Sequence, residues 1–371
     1  MADSFERKQY LDHLRGFAVF LMLFVNVPGS WGFIYPQLKH AEGNGFHLAD
    51  LVFPLFLWAV GYSLMISSSK RSEESLSDFW KRILFRSTAL FLMGLFLSLF
   101  PKWDWETFRI PGVLQRIALL YFCGAVWIRY VPKQKFFPSI WILFLLVICF
   151  ACLNRFFSIS SDSNSISFVK EEPLVSNTLG ALTDRFVFGN HLWKETKNYD
   201  PEGIFSSIPA FLTVMLGAVS FLRRKKYSDG NLFLRCRFEF LVYPVLSFAF
   251  SLIFPLNKTN WSLSFIFFTA FLSECLCSLF VVWEKFSLGS RLGFGLYGRN
   301  ALLVFFLTGF VTRLSVFSKL RSYLYGNFKQ LTANPEFASF LFSCMYLIAI
   351  LLFCFLWEKG KNFFPRQKTN S

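Results

Sequence analysis

The sequence predicts an all-α membrane protein, a polytopic helical bundle of about ten transmembrane helices. Three observations predict it. The first is composition: 54% of the 371 residues are hydrophobic and 20% aromatic, with 52 Phe. Mean hydropathy is +0.45, more apolar than a soluble domain. The second is length: apolar runs of roughly 20 residues, the span of a bilayer core, recur along the chain. The third is charge placement. The formal net charge is +15, and the Lys and Arg residues collect in alternate connections. Lys70, Arg71, Lys81, Arg82 and Arg86 form one inner cluster, and Arg223, Arg224, Lys225 and Lys226 another. This is the positive-inside pattern. It accounts for the basic balance as a topology signal and argues against nucleic acid as a partner.

In chain order the expected spans are 14–28, 49–67, 84–100, 110–128, 138–157, 204–222, 238–255, 262–283, 299–316 and 337–357. Both termini then face the cytoplasm. The first apolar run follows mixed charge and has no small-residue cleavage site after it, so it is expected to remain as a span. A single transmembrane domain over 1–371 is expected, with one long extracytoplasmic connection at about 158–203. That connection opens with a flexible Ser/Asn/Asp-rich stretch at 158–167. It then gains aromatic and acidic residues, which predicts a folded loop lining a site. The eight cysteines avoid the outer connections, and most sit in apolar runs, where Cys behaves as a small hydrophobe. Neither a disulfide framework nor a metal site is expected.

Candidate chemistry starts at the first span. Asp12 and Arg15 share a helix face, either as an ion pair or with Arg15 meeting an anionic ligand from the cytoplasm. Asn26 ends the helix, and Pro28 and Gly29 break it. Irregular backbone at membrane depth must be buried in protein or line a cavity, which makes 26–45 a cavity candidate. His40 lies in it. Asp50 opens the next span, and a carboxylate near an imidazole can fix its tautomer and raise its basicity. His47 reads as a helix-start residue. Gln115 and Arg116 fall inside the fourth span, where an ionisable group is costly and points to function. Arg116 either pairs with Asp12 or Asp50, or holds an anionic substrate or cofactor. Asn257, Lys258 and Trp261 form a short outer turn, and Arg299 with Asn300 opens the ninth span. A phosphate-binding loop, HExxH and GxSxG are all absent from the sequence.

In order, LDHLRGFAVFLMLFVNVPGSW, YPQLKHA…DLVFPLFLWAVG, GVLQRIALLYF, DRFVFGNHLW, DPEGIFSSIPAFLTVMLG, LNKTNWSLSF and YGRNALLVFFLTGF resemble the transmembrane acetyltransferase family of heparan-α-glucosaminide N-acetyltransferase and its bacterial relatives. The combination of HA…DLVFP with DPEG…S.IPA is the specific part. The resemblance implies that acetyl-CoA on the cytoplasmic side supplies an acetyl group to an amino sugar on the other side, without a metal. It implies His40 as the active histidine and Asn26 as its companion, the histidine serving either as an acetylated intermediate or as a general base. Asn26 would hold the thioester oxygen. Arg15, Arg82, Arg86 and Arg299, with Asn300, would meet the phosphates of CoA. Asp50, Gln115, Arg116, Asp184, His191, Asp200, Glu202, Asn257 and Lys258 would serve the acceptor.

Glu42 stands where relatives often carry a bulky residue, which bears on acceptor choice. The lumenal N-terminal domain of the animal enzymes is not seen, so the expected setting is a bacterial inner membrane. Peptidoglycan or scavenged glucosamine-type sugars are the expected acceptors, and homodimerisation is left open. Two rival readings are a membrane acyltransferase with another acyl group or glycan, and a transporter for an amino sugar.

Overall fold

The computed structural model describes residues 9–159, 166–168, 175–226, 232–285 and 293–363. They form thirteen α-helices: α1 Gln9–Asn26, α2 Leu48–Lys70, α3 Leu76–Leu99, α4 Val113–Tyr130, α5 Phe136–Phe156, α6 Leu179–Phe188, α7 Ile204–Lys226, α8 Leu232–Ser251, α9 Leu263–Lys285, α10 Phe294–Arg299, α11 Ala301–Val311, α12 Ser315–Thr332 and α13 Pro335–Phe363. Two three-residue strands, β1 Phe157–Ile159 and β2 Ile166–Phe168, pair antiparallel. Most of the Ser/Asn-rich stretch at 158–167 lies outside the described residues. From residue 175 onward the long connection is folded, with α6 within it.

Six helices are long and apolar enough to cross a membrane, and α11 with α12 makes a seventh if that pair, bent by 87°, is one span. The other expected spans carry polar residues or are short. α1 holds Asp12, His13 and Arg15, α4 holds Gln115, Arg116 and Arg129, and the apolar part of α8 is confined to Glu239–Ser251. By length and composition alone, the described residues do not reach ten.

The chain divides into two compact units. The first, Ala41–Ser278, is organised on α2 and α7. These helices touch backbone to backbone, because glycines face each other across the contact. A Cβ on Gly61 would lie 1.7 Å from the Val214 carbonyl oxygen, and one on Gly217 would lie 2.0 Å from that of Trp58. Small residues allow such approach where lipid removes the hydrophobic drive for helix pairing. Trp58, Tyr62, Leu212 and Met215 are buried around this contact.

The second unit comprises Glu6–His40 and Leu279–Ser371. It uses the same device: a Cβ on Gly16 would strike the Phe294 carbonyl at 1.7 Å, and one on Gly298 would strike that of Asp12 at 1.8 Å. Phe17, Phe20 and Phe280 crowd around Phe294, with ring centroids 5.6, 5.6 and 6.1 Å away. Past α1, Ser343 on α13 donates to the Val27 carbonyl at 3.1 Å, satisfying backbone that the Pro28–Gly29 break releases.

Gly217→Leu should prevent this backbone contact, and overpacking of a close-packed core costs about 1–3 kcal/mol or more. The expected result in detergent is a large drop in the unfolding midpoint or loss of the monodisperse peak in size-exclusion chromatography. A wild-type midpoint would contradict the close α2–α7 approach.

Candidate active site

The first unit carries a dense polar cluster where α4 and α7 begin and where the 257–262 turn leads into α9. Its centre is Arg116, 2% exposed. Nη2 of Arg116 donates to the carbonyls of Pro201 at 2.9 Å and Gly203 at 3.0 Å, and to the Ser206 hydroxyl. Its guanidinium lies over the rings of Trp261 and Phe53, 5.4 and 5.8 Å from their centroids. Arg116 therefore contacts α2, the entry to α7 and the 257–262 turn. It does so through carbonyls and aromatic faces, and Asp50 meets Lys258 instead.

Around Arg116 the acidic residues of the long connection are engaged one by one. Arg109 binds Asp200 through Nε at 2.8 Å and through Nη2, which also reaches Glu202. Asp200 further accepts from the Trp193 and Glu202 backbone N–H groups. Asp184 on α6 accepts from the Asp200 N–H at 3.2 Å and the Ile204 N–H at 3.1 Å. Gly203 makes room for this, because a Cβ there would sit 2.0 Å from the Asp184 carboxylate. His191 hydrogen-bonds through Nδ1 with the Phe108 carbonyl at 2.9 Å, and its own carbonyl accepts from Ile110 at 2.9 Å. It ties the connection to the segment before α4.

Burial pushes the Asp184 carboxyl up to about 6, against the pull of its two backbone donors. Burial also raises Glu202, but Arg109, Arg116 and Lys258 outweigh it and hold this carboxyl below its ordinary value. Lys258 is held below the usual amine value by burial, with Glu202 and Asp50 pulling the other way.

Asp50 links this cluster to the His40 loop. It is the third residue of α2, fully buried. It accepts from the N–H of His47, the helix-start residue, at 3.0 Å. It also accepts from the N–H of Ala41 at 3.1 Å and lies 3.7 Å from Lys258. A carboxylate in the first turn is favoured there. The backbone next to His40 is thus fixed by a buried carboxylate. The Gly45 N–H donates to the Leu256 carbonyl at 2.7 Å, and Asn257 donates to Asn44 at 2.9 Å, pinning the end of the loop to the 257–262 turn. Trp261 takes a φ of 50° and donates to Thr213 at 3.0 Å. Asn26 and His40, both in the second unit's stretch, are exposed.

The residues expected at CoA divide into engaged and exposed. Arg82 pairs bidentately with Glu74 at 2.8 and 2.6 Å. Arg299 pairs likewise with Glu358 at 2.8 and 2.6 Å, and Asn300 reaches the same carboxylate at 3.1 Å. Arg15 lies 3.8 Å from Asp12, so the ion pair forms loosely. Arg86 is exposed. Among the described residues there is no group of three or more His, Cys, Asp or Glu able to hold a metal.

Sequence reasoning missed Arg109, the partner of both Asp200 and Glu202. The signal was available: an arginine three residues before Gly112, in a connection expected to face outward, departs from the positive-inside pattern.

A model of the catalytic region of heparan-alpha-glucosaminide N-acetyltransferase matches residues 7–173, which include Asn26, His40, Asp50 and Arg116. The human heparan-alpha-glucosaminide N-acetyltransferase is 28% identical over 349 residues, covering 81% of this chain and 52% of the human protein. The mouse protein of the same name is 26% identical over 354 residues, covering 82% and 53%. The chain is thus similar to this family over its first half by the family model, and over most of its length at 26–28% identity. It spans about half the length of the curated relatives it matches.

The Asp184 carboxyl titrates at about 6 in the folded protein, above its ordinary 3.8. The fold therefore disfavours its ionised form, and stability from this group rises as pH falls from 7 through 6 toward 4. Between pH 7 and 5 the wild type should gain about 1 kcal/mol from it. Asp184→Asn should lack that gain, as read from unfolding midpoints at both pH values. Equal pH dependence in the two proteins would contradict the burial of this carboxyl.

Proposed function

We propose that the protein is a membrane acetyltransferase that moves the acetyl group of cytoplasmic acetyl-CoA to an amino sugar on the extracytoplasmic side. The observation that carries the reading is the family match across residues 7–173, combined with the setting of His40 inside it. His40 is solvent-exposed while the next residue is anchored to buried Asp50. A reactive imidazole needs access to its substrate on backbone that does not drift, and this loop offers both.

In the direct route, the acceptor amine attacks the thioester carbonyl while neutral His40 takes the amine proton. The CoA thiolate leaves and is protonated, and the amide forms. In the two-step route an imidazole nitrogen attacks the thioester and expels CoA, and the amine then takes the acetyl group and restores the imidazole. Asn26 donates to the carbonyl oxygen as charge develops on it in either route.

Arg109, Asp200, Asp184 and Arg116 hold the acceptor-side loop in shape, and Glu202, Lys258 and Asn257, paired in this structure with Arg109, Asp50 and Asn44, are the groups we assign to meeting an amine or hydroxyls. On the CoA side, Arg86 is exposed and half-buried Arg15 holds Asp12 only loosely, while the Arg82 and Arg299 guanidiniums and the Asn300 carboxamide would be shared between phosphate and Glu74 or Glu358. The setting this implies is a bacterial inner membrane with both termini cytoplasmic.

Purified protein in nanodiscs, given labelled acetyl-CoA and glucosamine, should form labelled N-acetylglucosamine. His40→Ala should lower turnover by roughly 100-fold or more, as expected when a positioned acid–base group is removed. Asn26→Ala should lower it by roughly 100-fold at unchanged folding, the worth of one oxyanion donor. Full turnover in His40→Ala would remove the histidine from the mechanism. Uptake of sugar without consumption of acetyl-CoA would replace the enzyme with a transporter.

A further inference from the structure

A cavity of about 430 Å³ lies in the first unit between α3, α4 and the entry to α7. Its volume is that of a small-molecule site. Most of its wall is apolar, with Phe91 on α3 and Ala118, Leu119 and Phe122 on α4. Leu119 at its rim is 45% exposed, and α3 beside it turns Leu84, Phe85 and Leu92 outward. The cavity is therefore reached from the lipid-facing side of the bundle.

Its other end is polar and incomplete. Gln115 and Arg116 line it, and each keeps buried polar atoms without a hydrogen-bond partner: Gln115 Nε2, and Arg116 Nε and Nη1. Buried donors are nearly always satisfied, so a cluster of exceptions calls for an explanation. Gln115 is held in place by design of the backbone. A Cβ on Gly94 would lie 2.3 Å from its carboxamide oxygen, and one on Gly112 would lie 2.7 Å away. Two glycines thus make the space that sets this side chain at the polar end. Glu202 lies on the same wall.

We infer that this cavity binds the alkyl chain of a lipid-linked amino sugar, with the polar atoms next to the chain received by Gln115 and Arg116. The inference rests on the acetyltransferase reading above and names its acceptor class. An alkyl chain suits an apolar wall open to lipid, and oxygens at the head of the chain suit the unpartnered donors. Glu202 selects between lipids. A phosphodiester headgroup would face a carboxylate, whereas a hydroxyl- or ammonium-bearing sugar would meet an acceptor.

The test compares dodecyl β-D-glucosaminide with free glucosamine as acceptors in nanodiscs. It uses the wild type, Leu119→Trp at the rim and Ala118→Phe inside. Partition of the alkyl sugar into lipid is common to all three proteins, so the variants isolate the cavity. The expected result is a KM for the alkyl sugar at least tenfold below that of glucosamine in the wild type. In the variants this advantage should shrink at least tenfold while the glucosamine KM stays put. Leu119→Trp is exposed and serves if Ala118→Phe does not fold. An advantage that survives in Leu119→Trp overturns the inference.

A dodecyl glucosaminide with a photoreactive diazirine on its chain reads binding without chemistry. Labelling at Phe91 or Phe122, competed by dodecyl glucosaminide but not by excess phosphatidylglycerol, supports the site. No labelling there, or equal competition by the phospholipid, overturns it. If neither sugar is acetylated by the wild type, the acetyltransferase reading fails, and the labelling result still decides the cavity.

Discussion

A guanidinium buried among helices is the constraint on which the first unit depends. Arg116 is fully enclosed, and an isolated charge in such a place would cost several kcal/mol. The fold answers with two backbone carbonyls, a hydroxyl and two aromatic faces. Hydrogen bonds to a charged group contribute about 1.5–3 kcal/mol each, and a desolvated cation over an aromatic ring about 2. Those partners come from α2, the entry to α7 and the turn before α9, so satisfying one side chain fixes three segments that are far apart in sequence. Arg109 then neutralises the two acids beside it, and Asp184 caps the backbone that Arg116 has drawn in. The polar cluster of the first unit is the consequence of that arrangement.

Much of this was legible in the sequence. Gln115 and Arg116 announced themselves as polar residues inside an apolar run. Asp50 and His47 stood where a helix start belongs, and the acids around 184–202 marked a connection that had to fold. What the sequence hid were pairings and shapes. Arg109 sits 91 residues from Asp200, and no local pattern joins them. Gly203 reads as an ordinary residue of a DPEG turn until the Asp184 carboxylate is seen against it. Trp261 reads as an interfacial anchor, yet it is buried under Arg116. Length and composition alone do not confirm ten spans, because helices such as α1 and α4 carry charged residues within their apolar runs.

Function and packing use the same resource here, the glycine. Gly61 and Gly217 bring α2 to α7, Gly94 and Gly112 open a box for Gln115, and Gly203 admits Asp184. The first pair makes the scaffold rigid, and the others place polar side chains at one end of it. A rigid frame with a polar end suits the transfer chemistry proposed above, which needs its reactants held within a few tenths of an ångström. Within the first unit, Ala41 is tied to that frame through buried Asp50.

The central claim is that Arg116 holds the entry to α7 and the 257–262 turn together. Amide hydrogen exchange on the wild type and Arg116→Lys tests it most directly, since a lysine keeps the charge but loses the planar fork. Exchange should rise together at residues 201–207 and 257–262 in the variant, with the α2–α7 contact around Gly61 and Gly217 unchanged. Wild-type protection at both segments would contradict the account and leave Arg116 a passenger in the fold.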